Sequence, residues 1–288
     1  MPSPDSKIQS QNLKKLLLEA RLFLSGSESA QLDAELLLAN VLGKGRAFLR
    51  TWPEHLVEKR QVVTYRQLLL RRKSGEPVAY LLGQWEFWSL PVQVNKHTLI
   101  PRPETELLVE QALARLSDGP YKVADLGTGS GAIALALATE RPGWKIWATD
   151  FSADALEVAQ TNSHQLALAN IEFRQGDWCV ALPENGFHMI VSNPPYISPH
   201  DPHLKGDGLP FEPQTALVAE SNGLKDISKI VAQAADKLLD EGWLLVEHGA
   251  DQGEVVREIF IASLFQLVET QEDLAGMERL TLGKIKHA

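Results

Sequence analysis

Val123-Ala124-Asp125-Leu126 runs into Gly127-Thr128-Gly129-Ser130-Gly131 and then into Ala132-Ile133-Ala134-Leu135-Ala136-Leu137-Ala138. The first four residues read as a buried strand, the next five as a turn, and the last seven as a helix made of strong helix formers. Strand, glycine turn and helix in succession is how an α/β fold brings backbone close to a nucleotide, because glycine has no Cβ and accepts positive φ. Working outward, strand and helix patterns alternate from about Leu107, with strands near 123–126, 145–150, 171–175, 188–192 and 243–247. That alternation predicts an α/β domain with a doubly wound, mostly parallel sheet. Two more strand candidates, near 264–269 and 279–285, bring the expected sheet to seven strands.

The strand-like Lys145-Ile146-Trp147-Ala148-Thr149 ends in Asp150, where a carboxylate is placed to accept from both hydroxyls of a ribose. The glycines are spaced G-x-G-x-G. The dinucleotide fingerprint G-x-G-x-x-G would need glycine where Ala132 stands. A pyrophosphate would sit on the helix N-terminus. The acid Asp125 just before the turn disfavours phosphate and favours a nucleoside with a cationic, amino-acid-like tail. S-adenosylmethionine is such a ligand, with Gly127, Thr128, Gly129, Ser130, Gly131 and Asp150 as candidate contacts. An ordinary α/β crossover with no ligand remains the alternative at this point.

Downstream, Met189-Ile190-Val191-Ser192 leads into Asn193-Pro194-Pro195-Tyr196. An apolar run ending in two prolines reads as a buried strand that stops abruptly. Neither proline donates an N–H, so carbonyls of this turn are left to accept from another partner. Asn193 adds a side-chain acceptor and Tyr196 a flat aromatic face. The set suits a planar NH2 group, either a carboxamide or the exocyclic amine of adenine or cytosine. The plain alternative is a tight proline turn. Asp177, after the strand containing Phe173, is placed to bond an adenine N6 amine with Trp178 packing nearby; it also reads as a helix N-cap. The glycine turn, Asp150, Asp177-Trp178 and Asn193 each follow a strand. Ligands bind outside the carboxyl ends of strands in open α/β sheets, so all four are expected on one edge.

Further motifs are Gly75-Glu76-Pro77-Val78-Ala79-Tyr80-Leu81-Leu82-Gly83, Leu99-Ile100-Pro101-Arg102-Pro103-Glu104-Thr105-Glu106, Phe211-Glu212-Pro213 and Glu247-His248-Gly249. With the Asp125–Gly131 and Asn193–Tyr196 segments, they make the chain resemble the peptide chain release factor glutamine N5-methyltransferases over nearly its whole length. The Asn193 signature alone is shared with DNA adenine methyltransferases and some ribosomal RNA and protein methyltransferases. The resemblance implies a class I methyltransferase (Rossmann-like) sheet over 99–288, ending in an antiparallel strand pair. It also implies a small helical substrate-docking domain over 1–74 and a β-hairpin linker over 75–98. The implied reaction is transfer of the S-adenosylmethionine methyl group to the side-chain amide of the glutamine in a release factor's Gly-Gly-Gln loop, leaving S-adenosylhomocysteine.

In that reading Asn193 Oδ1 and the Pro194 carbonyl accept the two amide hydrogens, Pro195 belongs to the same substrate-binding turn, and Tyr196 packs on the amide plane. Leu99–Glu106 is a proline-stiffened lid near the methionine end of the cofactor. The stretch from His200 to Pro213 is a long loop beside the site, anchored by Phe211-Glu212-Pro213. Where many relatives carry an acid in the strand before the signature, this chain has Phe187-His188-Met189, on a part of the strand away from the transferred methyl. His200, His203 and His248 read as surface or structural. The chemistry calls for no metal.

Composition bounds these expectations. The chain has 288 residues, a formal charge of −9 and one cysteine, Cys179. A lone cysteine excludes a disulfide framework and fits a reducing cytoplasm. The opening Met1-Pro2-Ser3-Pro4-Asp5 has no signal-peptide pattern, and no apolar stretch approaches the roughly 20 residues that span a bilayer. Overall acidity argues against a phosphate-gripping protein, although Arg71-Arg72-Lys73 is a basic run that reads as a solvated helix end. The expected partner is a release factor, met by a monomer without membrane or nucleic acid.

The first seventy-odd residues read as helices. Leu13, Leu16, Leu17, Ala20 and Leu24 recur at helical spacing, a break follows at Ser25-Gly26-Ser27, and Leu32, Leu36 and Ala39 continue the period. Two other functions compete with the preferred one. A nucleic-acid adenine N6 methyltransferase would need a flipped base and a basic channel, and a non-catalytic module would retain the fold without the reaction.

Overall fold

The computed structural model describes residues 11–183, 185–206 and 208–287. The opening segment read above for a signal peptide, and the side chain of His203, lie outside what is described. The chain forms two compact units, one ending at Gly83 and the other beginning at Gln84.

The first unit is helical, with α1 (Leu13–Phe23), α2 (Ala30–Leu42), α3 (Arg46–Thr51), α4 (Lys59–Lys73) and α5 (Val78–Leu82). A short antiparallel pair, β1 (Gln11–Asn12) with β2 (Leu56–Val57), ties its start to the α3–α4 connection. Asn12 caps α1, its side chain accepting from the Lys15 N–H. The unit runs past residue 74 because Pro77 opens α5 and Gly83, at φ +75°, closes it, with Leu81 joining the helical core. In α2 the buried leucines are Leu37 and Leu38, whereas Leu32 is exposed and Leu36 half-buried. The expected period is therefore shifted along a run of three leucines that fits more than one helical register. The shift carries Asp33 and Glu35 inward, each against arginine. The basic run at the end of α4 is likewise only partly solvated. Arg71 pairs with Glu76 and Lys73 donates to the Phe23 carbonyl, but Arg72 is buried and donates to Asp33 at 2.7 Å.

The second unit opens with a hairpin, β3 (Gln84–Phe87) and β4 (Leu90–Gln93). Its body contains β5 (Lys122–Leu126), β6 (Lys145–Asp150), β7 (Ile171–Gln175), β8 (Phe187–Ser192), β9 (Leu238–Glu247), β10 (Phe265–Glu272) and β11 (Glu278–Ile285), ordered β10-β11-β9-β8-β5-β6-β7. The five from β5 to β9 are parallel; β11 runs antiparallel between β9 and β10. The helices are α6 (Glu106–Arg115), α7 (Ala132–Glu140), α8 (Ala153–Gln165), α9 (Lys225–Lys237) and α10 (Gly253–Ala262).

Strand alternation assigns the faces. Ala124, Leu126, Ile190, Leu244 and Val246 pack with Ile227, Ile230 and Val231 of α9 and Val256 and Phe260 of α10. The intervening residues face α6, α7 and α8. Every residue of Ala132–Ala138 is buried, as a helix apolar on all sides must be. No helix among the described residues is long and apolar enough to cross a membrane.

The buried Arg72–Asp33 pair gives a stability test within the helical unit. Arg72→Met removes one partner and strands the other carboxylate in a dry site, which should cost about 3–5 kcal/mol. Urea unfolding of the full chain, followed by far-UV circular dichroism, checks this.

Candidate active site

The sheet reverses its winding direction between β5 and β8, and this switch point builds the site. Leu126 is level with Ser192 on one side and with Thr149 on the other. The Ser192 hydroxyl donates to the Leu126 carbonyl at 2.8 Å, and the Thr128 N–H donates to the Thr149 carbonyl at 2.8 Å. The turns that leave β5, β6 and β8 therefore begin at one height. They border a cavity of about 480 Å³, within the range of small-molecule sites.

Gly127, Thr128, Gly129 and Ser130 line this cavity, as do Asp150, Asp177, Trp178, Asn193 and Pro195. Gly131, Pro194 and Tyr196 are not on its lining. Gly131, at φ +86°, instead turns the chain into α7. Tyr196 packs against the core of the sheet, with its hydroxyl 3.4 Å from Glu247.

The N–H groups of Thr128, Gly129 and Gly131 are taken up by an acid and by carbonyls rather than offered to a ligand. Gly129 N–H donates to Asp150 Oδ2 at 2.9 Å, and Ser152 N–H to Asp150 Oδ1 at 2.8 Å. Asp125, with no exposed surface, accepts from the Thr128 hydroxyl at 2.6 Å and from Ala134 N–H at 3.2 Å. Burial pushes the Asp125 carboxyl up to about 7, against the pull of those two donors. Burial also raises Asp150, against backbone bonds from Ser152, Gly129 and Phe151. Each Asp150 oxygen keeps a lone pair beyond its backbone bond. A helix start faced by a buried carboxyl is a poor seat for phosphate.

Trp178 explains why residue 127 is glycine. Its ring lies against Gly127, where an added Cβ would sit 2.9 Å from the indole, and φ there is +70°. Trp178 itself has φ +49°, unusual for an aromatic residue, and its Nε1–H donates to Asp226 at 3.3 Å. Asp177 occupies the N-cap position of a short 3₁₀ turn without capping it; its carboxylate pairs with Lys229 instead.

Four residues hold the site together: Thr105, Glu212 and Glu247, which lie in motifs quoted above without a bonding partner assigned, and Asn162, which no quoted motif contains. Thr105, buried, accepts from Asn193 Nδ2 at 3.0 Å. Glu212, also buried, accepts from Ile100 N–H at 2.9 Å and from Arg102 at 2.5 Å, clamping the Leu99–Glu106 segment. Asn162 of α8 donates to the carbonyls of Ser130 and Gln93 and accepts from Gln93 N–H, joining the glycine loop to the hairpin. Glu247 lies beneath the Asn193 turn, and burial pushes it up to about 7. His248 is buried against Gly249 and Thr281, and His200 is exposed. His188 sits at the start of β8 and accepts from Lys122 N–H, far along the strand from Asn193.

Residues 15–83 match the PrmC N-terminal domain model, and residues 103–205 match the methyltransferase small domain. A release factor glutamine methyltransferase of Pseudomonas aeruginosa is 55% identical over 261 residues, covering 91% of this chain and 95% of that one. That of Escherichia coli (strain K12) is 51% identical over 268 residues, covering 93% and 97%. The chain belongs to the release factor glutamine methyltransferase family. Two solved structures share its fold at low identity. Ribosomal protein L11 methylase from Lactobacillus delbrueckii subsp. bulgaricus has a TM-score of 0.51 at 19% identity over 68% of this chain and 86% of that one. A methyltransferase from Pyrococcus furiosus has a TM-score of 0.50 at 18% identity, over 77% and 98%. The chain thus carries the glycine turn and the Asn193 turn side by side on a seven-stranded sheet.

In Gly127→Ala the methyl group meets the Trp178 ring and the backbone stays in the left-handed region. A loss of about 1–3 kcal/mol in stability is expected, read by urea unfolding with tryptophan fluorescence.

Proposed function

We propose that this enzyme transfers the methyl group of S-adenosylmethionine to the side-chain amide nitrogen of the glutamine in a release factor's Gly-Gly-Gln loop. The observation that carries this reading is the Asn193 amide. Its NH2 is held by Thr105, so its oxygen is left for the cavity that the glycine loop borders.

The residues present fit S-adenosylmethionine. Asp150 has lone pairs for two ribose hydroxyls, and Trp178 and Asp177 offer an aromatic face and a carboxylate for the adenine. The acid-faced glycine loop suits a cationic amino-acid tail better than a phosphate. When bound, this group supplies an electrophilic methyl on a sulfonium.

The protein's part is positioning. A carboxamide nitrogen is a weak nucleophile because its lone pair is delocalised into the carbonyl. Asn193 Oδ1 and the Pro194 carbonyl accept the two amide hydrogens, fixing the nitrogen toward the donor and stabilising positive charge as it develops there. Among the described residues no backbone N–H takes the Pro194 carbonyl. Pro195, on the cavity wall, walls the amide in. Tyr196 supports the turn from the core side instead of covering the substrate. Glu212 holds Ile100 and Arg102 so that the 99–106 segment closes one side of the cavity. The helical unit would dock the release factor, and a partner that works on ribosomes places the reaction in the cytoplasm.

The test is transfer of labelled methyl from S-adenosylmethionine to a purified bacterial release factor, beside a Gln→Ala version of its Gly-Gly-Gln loop and bare DNA. Label on the wild-type factor alone is expected; label on DNA would hand the site to adenine N6 chemistry. Asn193→Ala should lower kcat on the order of 10²–10³-fold while S-adenosylmethionine affinity, measured by calorimetry, stays within a few-fold.

A further inference from the structure

The geometry points to Gln252 as a positioning residue that holds the Tyr196 carbonyl and so fixes the far end of the Asn193–Tyr196 turn, whose near end presents the acceptors. The inference rests on the reading above for what those acceptors do; the arrangement itself is independent of it.

Gln252 stands in the link between β9 and α10, three residues past Gly249 and outside every motif quoted from the sequence. Its side-chain NH2 donates to the Tyr196 carbonyl at 3.1 Å and to the Asn222 carbonyl at 3.0 Å, and its Oε1 accepts from Gly249 N–H at 2.8 Å. The partners fix the sense of the amide. Two carbonyls only accept and a backbone N–H only donates, so a carboxamide, with two donors beside an acceptor, satisfies all three. Asparagine would be one methylene shorter. Gln252 also occupies the N-cap position of α10, where Ser, Thr, Asp or Asn would stabilise the helix by bonding its first N–H groups. It makes no such side-chain bond. The side chain reaches across to the turn instead.

A second residue closes on the same carbonyl. Gly223, at φ +83°, lies so near that an added Cβ would sit 1.9 Å from the Tyr196 oxygen and 2.7 Å from Gln252 Nε2. Next in the chain, Ile197 N–H donates to the Leu217 carbonyl at 3.0 Å, and the Ile197 carbonyl accepts from Ala219 N–H at 3.0 Å. The exit of the turn is therefore gripped by Gln252, by 217–219 and by 222–223.

The entrance is held as well, by the Ser192 hydroxyl on the Leu126 carbonyl and the Asn193 NH2 on Thr105. Between the two ends stand Pro194 and Pro195, each with φ locked by its ring. Such a segment has few torsions left to absorb a displacement. A shift at the Tyr196 carbonyl passes on to the Pro194 carbonyl and Asn193. Hydrogen bonds weaken steeply off line, and a misplacement of about 1 Å at a reacting group can cost about 100-fold in rate. The glycine loop is held by other bonds, from Gly129 to Asp150 and from Asn162 to the Ser130 carbonyl. Release of the Tyr196 carbonyl therefore reaches the substrate acceptors and spares the cofactor side.

The experiment compares wild type with Gln252→Glu, Gln252→Met and Gly223→Ala in methyl transfer to the release factor. Gln252→Glu keeps the side chain's size and the bond from Gly249 but has no NH2, and Gln252→Met removes the donors without adding charge. The Tyr196 carbonyl carbon shift, read by NMR through the Ile197 amide in the ligand-free proteins, is the second readout. Both Gln252 variants should lower kcat about 10–100-fold. KM for S-adenosylmethionine, and S-adenosylhomocysteine affinity by calorimetry, should stay within a few-fold. The Tyr196 carbonyl signal should move in both, and Gly223→Ala should change kcat and the signal in the same way. A carbonyl signal that stays in place, or a kcat that survives its movement, would overturn the inference. So would cofactor affinity falling in step with kcat, or failure of both Gln252 variants to fold by circular dichroism, since either makes Gln252 a general support. Wild type that transfers no methyl to the factor would overturn the function proposed above, and the carbonyl signal would still decide whether Gln252 holds the turn.

Discussion

The bond from the Ser192 hydroxyl to the Leu126 carbonyl, 2.8 Å long, joins the two central strands at their shared carboxyl edge. Everything in the site depends on that levelling. Parallel pairing places Leu126 opposite both Ser192 and Thr149, so the next residues out are Gly127, Asn193 and Asp150. A glycine turn that must lie flat, an acceptor turn that must face it and an acid that must reach the same ligand all start from one row. A register slip of one residue would send each side chain to the opposite face of the sheet.

From this row the electrostatics follow. The loop after β5 is rich in glycine, which in a nucleotide fold usually means exposed N–H groups and an anionic ligand. Here Asp150 and Asp125 take the N–H groups of Gly129 and Ala134. Around the Trp178 ring the cavity presents the carboxylates of Asp150, Asp177 and Asp226. Such a surface suits ribose hydroxyls, amino groups and a sulfonium. The two prolines extend the same logic to the substrate side, since each removes a donor from a turn whose work is to accept.

The sheet and the segments with local chemistry were legible because each motif carries its meaning within a few residues. Gly127–Gly131, Asp150 and Asn193–Pro195 are turns directly after buried strands, and period and topology suffice to gather them. The supports were legible only as members of motifs, or, for Asn162, not at all; their bonds were not. Thr105, Asn162, Glu212 and Glu247 are ordinary residue types, and their partners lie tens to over a hundred residues away in the chain. Nothing in their local pattern separates a clamp from a surface acid. Tyr196 shows the converse case. Its ring reads as a substrate platform beside two prolines, but the sheet core has room for it and takes it. In α2, three adjacent leucines fit more than one helical face, and the buried Arg72–Asp33 pair selects the register actually used.

The division between turn and support has a physical cause. Prolines make the Asn193 turn stiff, which fixes two acceptors at little entropic cost but leaves no freedom to correct them. The asparagine amide is the exception. Its two ends are nearly the same shape and opposite in hydrogen-bonding sense, so packing alone cannot tell them apart. Only a partner of defined polarity can do so, and Thr105 is ambiguous unless something else claims its proton. In this structure Thr105 receives the NH2 end at 3.0 Å, which leaves the amide oxygen of a turn that opens on asparagine to face the cavity.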